Sequence, residues 1–302
     1  MFHPSRRGFL GGSAATAAVA SLPLTAPAEA AASAGAQRLW YRQPATTWTE
    51  ALPVGNGRLG AMVFGGTAKE RLQLNEDTLW SGGPYDPVNP AAYAALPQVR
   101  RLIEEERFAE AQALANAKLM GTPKTQMAYQ PLGDLWLKLP KAAGTASGYV
   151  RELDLDAAVA TTSFTLGDTR YRREVFASPG DQVIAVHLTG SQTFDLIVGF
   201  SSPLPDAAVE AAENMLTLTG RNSARAAVAG ALRFAARARI SATGGAVAAD
   251  GERVRVHGAR AVTIFVAMGT SYHRFDDVGG DPAAETLAVL DRATARGIAR
   301  IR

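Results

Sequence analysis

The sequence predicts an all-β protein, a large two-sheet antiparallel β-sandwich with a small two-helix insertion and the start of a C-terminal linker helix. Three observations carry this reading. Short apolar or alternating runs follow one another along most of the 302 residues. Turn signals such as Gly167-Asp168, Pro179-Gly180-Asp181, Gly190-Ser191 and Asp250-Gly251 separate them, at the spacing of about 8–12 residues expected of a sandwich. Strand follows strand with no helical pattern between, which argues against α/β folds. There is no cysteine, so a buried core rather than a disulfide has to supply the stability.

The first element is an export signal. Ser5-Arg6-Arg7-Gly8-Phe9-Leu10 fits the twin-arginine pattern, with Arg6 and Arg7 as its paired cations. An Ala-rich, weakly apolar stretch runs to Leu24, and Ala28-Glu29-Ala30 offers the small residues that a signal peptidase reads. Pro23 interrupts the stretch, which is too short and Ala-rich for a membrane span of ~20 residues. Residues 1–32 are therefore expected to be a signal peptide. The twin-arginine machinery is its implied partner, and a periplasmic or extracellular space the destination.

The strand candidates follow in order. They are Leu59–Phe64, Arg71–Leu74, Leu132–Leu139, Arg151–Leu155, Thr161–Leu166, Arg170–Ala177, Gln182–Leu188, Asp195–Phe200, Leu216–Leu218, Leu232–Ile240, Val254–His257 and Val262–Ala267. In the sixth, Tyr171, Arg173 and Val175 share one face. The seventh is apolar on both faces, Ile184, Val186 and Leu188 opposing Val183 and Ala185, and so belongs at the centre of a sheet. One helical insertion spans Ala91 to Leu119, with a break near Glu106-Arg107 that makes two short helices. Its Glu104-Glu105-Glu106 run reads as a solvated helix face. At the C-terminus Leu287, Leu290, Thr294, Ile298 and Ile301 form an apolar stripe with no Gly or Pro stop, which an amphipathic helix must bury on a partner.

The richest segment for function runs from Leu52 to Pro84. Gly55, Gly57, Gly60, Gly65 and Gly66 punctuate an apolar run, and Asn75-Glu76-Asp77-Thr78 with Trp80 follow before Gly82-Gly83-Pro84. Glycine at this density marks tight turns and close backbone approach. Polar groups beside one large ring suit a sugar, which needs hydrogen bonds for its hydroxyls and an apolar face to stack on. Turn formation and core packing are the competing reading of the same residues.

The chain resembles the N-terminal domain of glycoside hydrolase family 95, the inverting α-L-fucosidases. The resemblance rests on ordered segments: Leu39-Trp40-Tyr41, Trp48 to Pro53, Val54 to Met62, Leu74 to Gly82, Tyr129 to Leu135, and Tyr171 to Ser178. It implies a β-sandwich of the super-sandwich type over 36–282 and the start of a helical linker over 283–302. It also implies hydrolysis of terminal α-linked fucose in a glycan or polysaccharide, with no cofactor. The family's general acid and water-activating residues lie in an (α/α)6 barrel whose motifs have no counterpart in this sequence. No catalytic residue is carried over, and the chain alone is expected to be inactive. Asn56, Asn75, Glu76, Trp80 and Gln130 lie in the shared loops and are expected to face the barrel and border its pocket.

Elementary chemistry supports this restraint. Inverting hydrolysis needs two carboxyl groups about 6.5–9.5 Å apart across the sugar. Glu76 and Asp77 are neighbours in a strand-like segment and would point to opposite faces. The four histidines show no metal-ligand spacing, and no metal site is expected. Gly55-Asn56-Gly57-Arg58-Leu59-Gly60 matches G-x-G-x-x-G only superficially, since no βαβ unit follows. A net charge of +3, with dispersed arginines, gives no basis for a nucleic-acid partner. The alternative from another functional class is a free-standing carbohydrate-binding or scaffold module.

Overall fold

The computed structural model describes residues 37–140 and 144–302. The signal segment, with Arg6 and Arg7, lies outside the described residues. In chain order the elements are β1 (Arg38–Tyr41), β2 (Leu52–Gly55), β3 (Leu59–Val63), β4 (Lys69–Glu76), α1 (Ala92–Glu104), α2 (Phe108–Lys118), β5 (Gly133–Lys138), β6 (Ser147–Asp154), β7 (Val159–Leu166) and β8 (Thr169–Ser178). They continue with β9 (Val183–Ser201), β10 (Ala208–Ala212), β11 (Met215–Arg221), β12 (Arg233–Thr243), β13 (Ala246–Asp250), β14 (Arg253–Thr270), α3 (Pro282–Arg296) and α4 (Ile298–Ile301).

All fourteen strands join one antiparallel hydrogen-bonded network, and two long strands fold it into two layers. One layer runs β1-β6-β7-β8, then residues 183–190 of β9, residues 261–270 of β14, and β12-β11-β10. The other runs β2-β3-β4-β5, then residues 194–201 of β9, residues 253–259 of β14, and β13. The passage between layers coincides with register shifts on either side of Ala259. Gly258 takes φ +66 there, a left-handed value that favours glycine. Four predicted strands are thus the halves of two bent ones. Gly190-Ser191, read as a turn between two strands, bends a continuing strand instead, and the gap between the predicted strands Val254–His257 and Val262–Ala267 is a bend of the same kind.

Alternation places the core. On β4, Glu70, Leu72, Leu74 and Glu76 point inward and are all buried. Leu72 and Leu74 meet Leu135 and Leu137 of β5, Leu196 and Val198 of β9, and Ile184, Val186 and Leu188 from the opposite layer in one apolar cluster. Val183 and Ala185, on the other face of β9, pack with Phe265, Ala267, Leu290 and Ala293. The strand is therefore buried on both sides, as its two apolar faces predicted.

The cover on that second face is α3, which corrects two expectations. Its buried face is Pro282, Thr286, Leu290 and Ala293, and Thr294 is exposed. The stripe is docked on the sheet rather than unpartnered. Gly297, at φ +73, ends the helix, where no stop was expected. At the other end Asp281 accepts backbone N–H groups of Ala283 and Ala284, both at 3.1 Å, with Pro282 in the first turn. The helical insertion matches its prediction: α1 and α2 break over residues 105–107 and bury Val99, Leu102 and Ala111 between them. The short strands β1, β2, β10 and β13 escaped the sequence pattern because they lie in short segments where burial is incomplete or absent.

Candidate functional site

The site is built where β4 ends. Glu76 is the last inward residue of the strand and only 2% exposed. Its Oε1 accepts from Arg58 Nη1 at 3.1 Å. Its Oε2 accepts from the Thr78 backbone at 2.9 Å and the Thr78 hydroxyl at 2.6 Å. Burial raises the Glu76 carboxyl above its usual value, against the opposing pull of the Thr78 hydrogen bonds and Arg58. Asp77, one residue on, is exposed. The two carboxyls diverge, as the strand period predicts.

Arg58 reaches this carboxylate because the preceding turn is tied down. Asn56 accepts from the backbone N–H groups of Arg58 and Leu59, at 3.1 and 2.8 Å, and donates to the Ser178 carbonyl at 2.9 Å. The Arg58 guanidinium also donates to Gln182 at 2.8 Å and to the Met268 carbonyl at 2.9 Å. Glycine is required at Gly57, where φ is +94. These contacts line a cavity of about 260 Å³ with Arg58, Glu76, Thr78, Thr270, Tyr272 and Thr286.

Trp80 stands beside it, 45% exposed. Its indole N–H donates to the Asp77 carbonyl at 2.9 Å, and its ring meets Tyr129 edge to face at 5.4 Å. Tyr129 donates to the Glu76 carbonyl at 3.2 Å. Gln130 bonds through its backbone to the Leu79 carbonyl and accepts from Ser223 N–H, both at 3.0 Å. Trp80, Tyr85, Tyr272 and Phe275 then rim a second cavity of about 250 Å³. Tyr272 borders both cavities.

Four of the five predicted residues therefore belong to one neighbourhood. Glu76, Trp80 and Gln130 are joined through the Thr78–Trp80 turn and Tyr129, and Asn56 through Arg58. Asn75 is separate. It sits on the outer face of β4 opposite Gly60, and its side chain makes no hydrogen bond among the described residues. Sequence reasoning missed Asn222, which is 2% exposed. Its amide donates to the carbonyls of Trp80 and Gly82, at 2.6 and 2.5 Å, and accepts from Leu232 N–H at 3.0 Å. It also missed Tyr272 and Phe275. No local pattern marks these three, which converge on the Trp80 loop only through the fold. Among the described residues no group of three or more His, Asp or Glu side chains is arranged to hold a metal ion.

Comparison with known proteins gives the following. Residues 39–274 match the family model described as glycosyl hydrolase family 65, N-terminal domain. Residues 3–23 match the twin-arginine signal, which implies export by that pathway. The chain is 44% identical over 171 residues to "Alpha-L-fucosidase 2" of Arabidopsis thaliana, covering 55% of this chain and 20% of that protein. It is 34% identical over 203 residues to "Probable alpha-fucosidase A" of Aspergillus niger, covering 62% and 25%. The chain thus spans a fifth to a quarter of the length of these relatives. A solved structure from the human microbiome, provisionally named a kojibiose phosphorylase, aligns over 88% of this chain and 36% of its own with TM-score 0.51. At 10% identity that likeness bears on the fold alone.

Proposed function

This chain belongs to the glycosyl hydrolase family 65 N-terminal domain family, and from that premise we propose that it is the N-terminal β-sandwich of an exported α-L-fucosidase. The relatives named as fucosidases support the sugar. The domain limits we propose are a signal over 1–32, the sandwich over 36–282 and a linker beginning at 283. The whole enzyme would hydrolyse terminal α-L-fucosyl linkages of glycans, with inversion.

Within it, this chain supplies a wall and not the acid–base pair. The engagement of Glu76 carries that reading. Both of its oxygens are held by Arg58 and Thr78 in a buried position, while Asp77 faces elsewhere. A carboxylate committed this way organises a loop. What it organises is the aromatic rim of Trp80 and Tyr129, whose polar edges are bonded internally and whose half-exposed apolar surface is open to a sugar or a neighbouring domain. Asn56 and Gln130 brace that rim. The catalytic groups would come from an (α/α)6 barrel. Purified and incubated with a fucosylated oligosaccharide, the 302-residue chain should release no fucose. Release that Glu76→Gln abolishes would sink the wall assignment.

A specific observation also favours the free-standing module. The apolar face of α3 is already covered by β12 and β14, so the domain requires no partner there. Under this reading the isolated chain is a monodisperse monomer that binds a fucosylated oligosaccharide by itself, which equilibrium sedimentation and calorimetry would test.

A further inference from the structure

A third hollow lies on the outer face of the β4-β5-β9-β14 layer, with residues different from those of the Trp80 rim. Its volume is about 370 Å³. Trp136, Ile197 and Gly199 form an apolar floor, and Lys69, Lys138 and Arg253 stand around it. The register explains the grouping. Lys69 lies directly opposite Lys138, Lys138 opposite Ile197, Trp136 opposite Gly199, and Gly199 opposite Arg253. Alternation turns all of these outward.

Like charges directly opposite on adjacent strands destabilise a sheet. Here two lysines face one another, with an arginine across the hollow. None of the three has a carboxylate partner among the described residues, although other arginines of this layer do: Arg71 pairs with Asp134 at 2.8 Å, and Arg255 with Asp250. The Lys69 ammonium is held 4.0 Å over the Trp136 ring, and the indole N–H is fixed by Ser201 at 2.8 Å. The hollow itself depends on Gly199. A Cβ there would meet nothing closer than Arg253 Cγ at 3.5 Å, so packing does not demand glycine. Its missing side chain leaves space instead. Glu252 is the single carboxylate on the rim.

We propose that this hollow binds an acidic saccharide, with a glycuronate ring on the Trp136-Ile197-Gly199 floor and its carboxylate between Lys69, Lys138 and Arg253. The anion follows from three cations that have no carboxylate partner among the described residues. The saccharide rests on the glycoside-hydrolase reading above, together with an apolar floor of a size that accepts a pyranose face. The site would hold an acidic polysaccharide chain while another part of the protein acts on its neutral branches.

The test is calorimetry on the 302-residue chain at low salt with an α-1,4-linked galacturonic acid oligomer. Its fully methyl-esterified form serves as the neutral control and inorganic sulfate as the bare anion. Binding of the acid should exceed that of the ester by at least about tenfold and weaken steeply with salt. Lys138→Glu and Gly199→Val should each weaken it about tenfold; the first reverses a charge at an exposed position, and the second fills the floor. Equal binding of acid and ester, or no binding, would overturn the anion site. Sulfate binding as tightly as the oligomer would overturn the saccharide. Both failures are separable from that of the fucosidase reading, which involves different residues and a neutral probe.

Discussion

Arg173 of β8 and Glu70 of β4 form an ion pair inside the sandwich, with side chains 2% and 0% exposed. The pair spans the two layers. Glu70 Oε1 also accepts the N–H groups of Gly65 and Arg71, at 2.9 and 3.0 Å, and Arg173 donates to the Gly66 carbonyl at 2.8 Å. It therefore anchors the glycine turn between β3 and β4. Arg173 Nε finds no hydrogen-bond partner, so the pair is not optimised for stability alone. Removing one partner strands a buried charge. Glu70→Ala or Arg173→Met should each cost about 3–5 kcal/mol, and the Glu70→Leu/Arg173→Met double variant much less. Urea unfolding midpoints measure this, and additive losses would contradict it.

Glu76 should make a distinct pH signature. Burial raises its folded-state pKa above the ordinary 4.5, so the folded protein binds this proton more tightly than the unfolded chain. The stabilising contribution is complete below pH 4.5 and is lost as pH rises through the folded value. Glu76→Gln cannot titrate. The stability of the parent relative to this variant should fall as pH rises from below 4.5 through the raised folded value. Parallel unfolding curves across that range decide it, and a difference that grows with pH would reverse the sign.

The α3 helix should be an integral part of the sandwich. Leu290 is fully buried against β12 and β14, so Leu290→Ala should cost about 2–5 kcal/mol. Asp281→Ala, which removes the cap from two N–H groups, should cost about 1 kcal/mol. Deleting residues 282–302 would uncover Val183, Ala185, Phe265 and Ala267 and should yield a protein that binds a hydrophobic dye and aggregates. A soluble, unchanged truncation would show that the helix is dispensable.

At the candidate site, the anchor should matter more to stability than the ring it holds. Trp80→Ala loses a half-exposed edge-to-face contact, about 0.5–1.5 kcal/mol. Asn222→Ala leaves the Trp80 carbonyl and the Leu232 N–H without partners, while the Gly82 carbonyl keeps the Ala231 N–H, at about 1–3 kcal/mol for each group left unsatisfied. Thermal unfolding of the two variants should rank them in that order. If Trp80→Ala is the more damaging, the ring is a core element and not a displayed surface.

Much of the fold was legible because burial leaves a period in the sequence. The shared face of Tyr171, Arg173 and Val175 in β8, the two apolar faces of residues 183–188 and the interruption of the helical insertion near Glu106-Arg107 were each readable from the sequence. The bends in β9 and β14 were not. Gly190-Ser191 and His257-Gly258 have the composition of a turn, and only pairing on both sides tells a bend from a reversal. The edge strands β10 and β13 carry weak patterns because most of their residues are exposed. At the site, Trp80 and Glu76 were visible as an aromatic and a carboxylate in one loop. Tyr272, Phe275 and Asn222 come from more than 140 positions downstream, and no spacing rule connects them.

By itself the sequence determined the class of the fold, the inward and outward faces of its regular strands, and the local turns that glycine and asparagine impose. These follow from short-range sterics and from the two-residue period of a pleated strand. The tertiary structure alone decided what each inward polar group meets. It brought Glu70 to Arg173 and Arg58 to Glu76, docked α3 on the sheet, and placed Lys69 opposite Lys138 beside Gly199. Such pairings depend on strand register and layer stacking. Those are set by the summed burial of many side chains, which no local stretch of sequence contains.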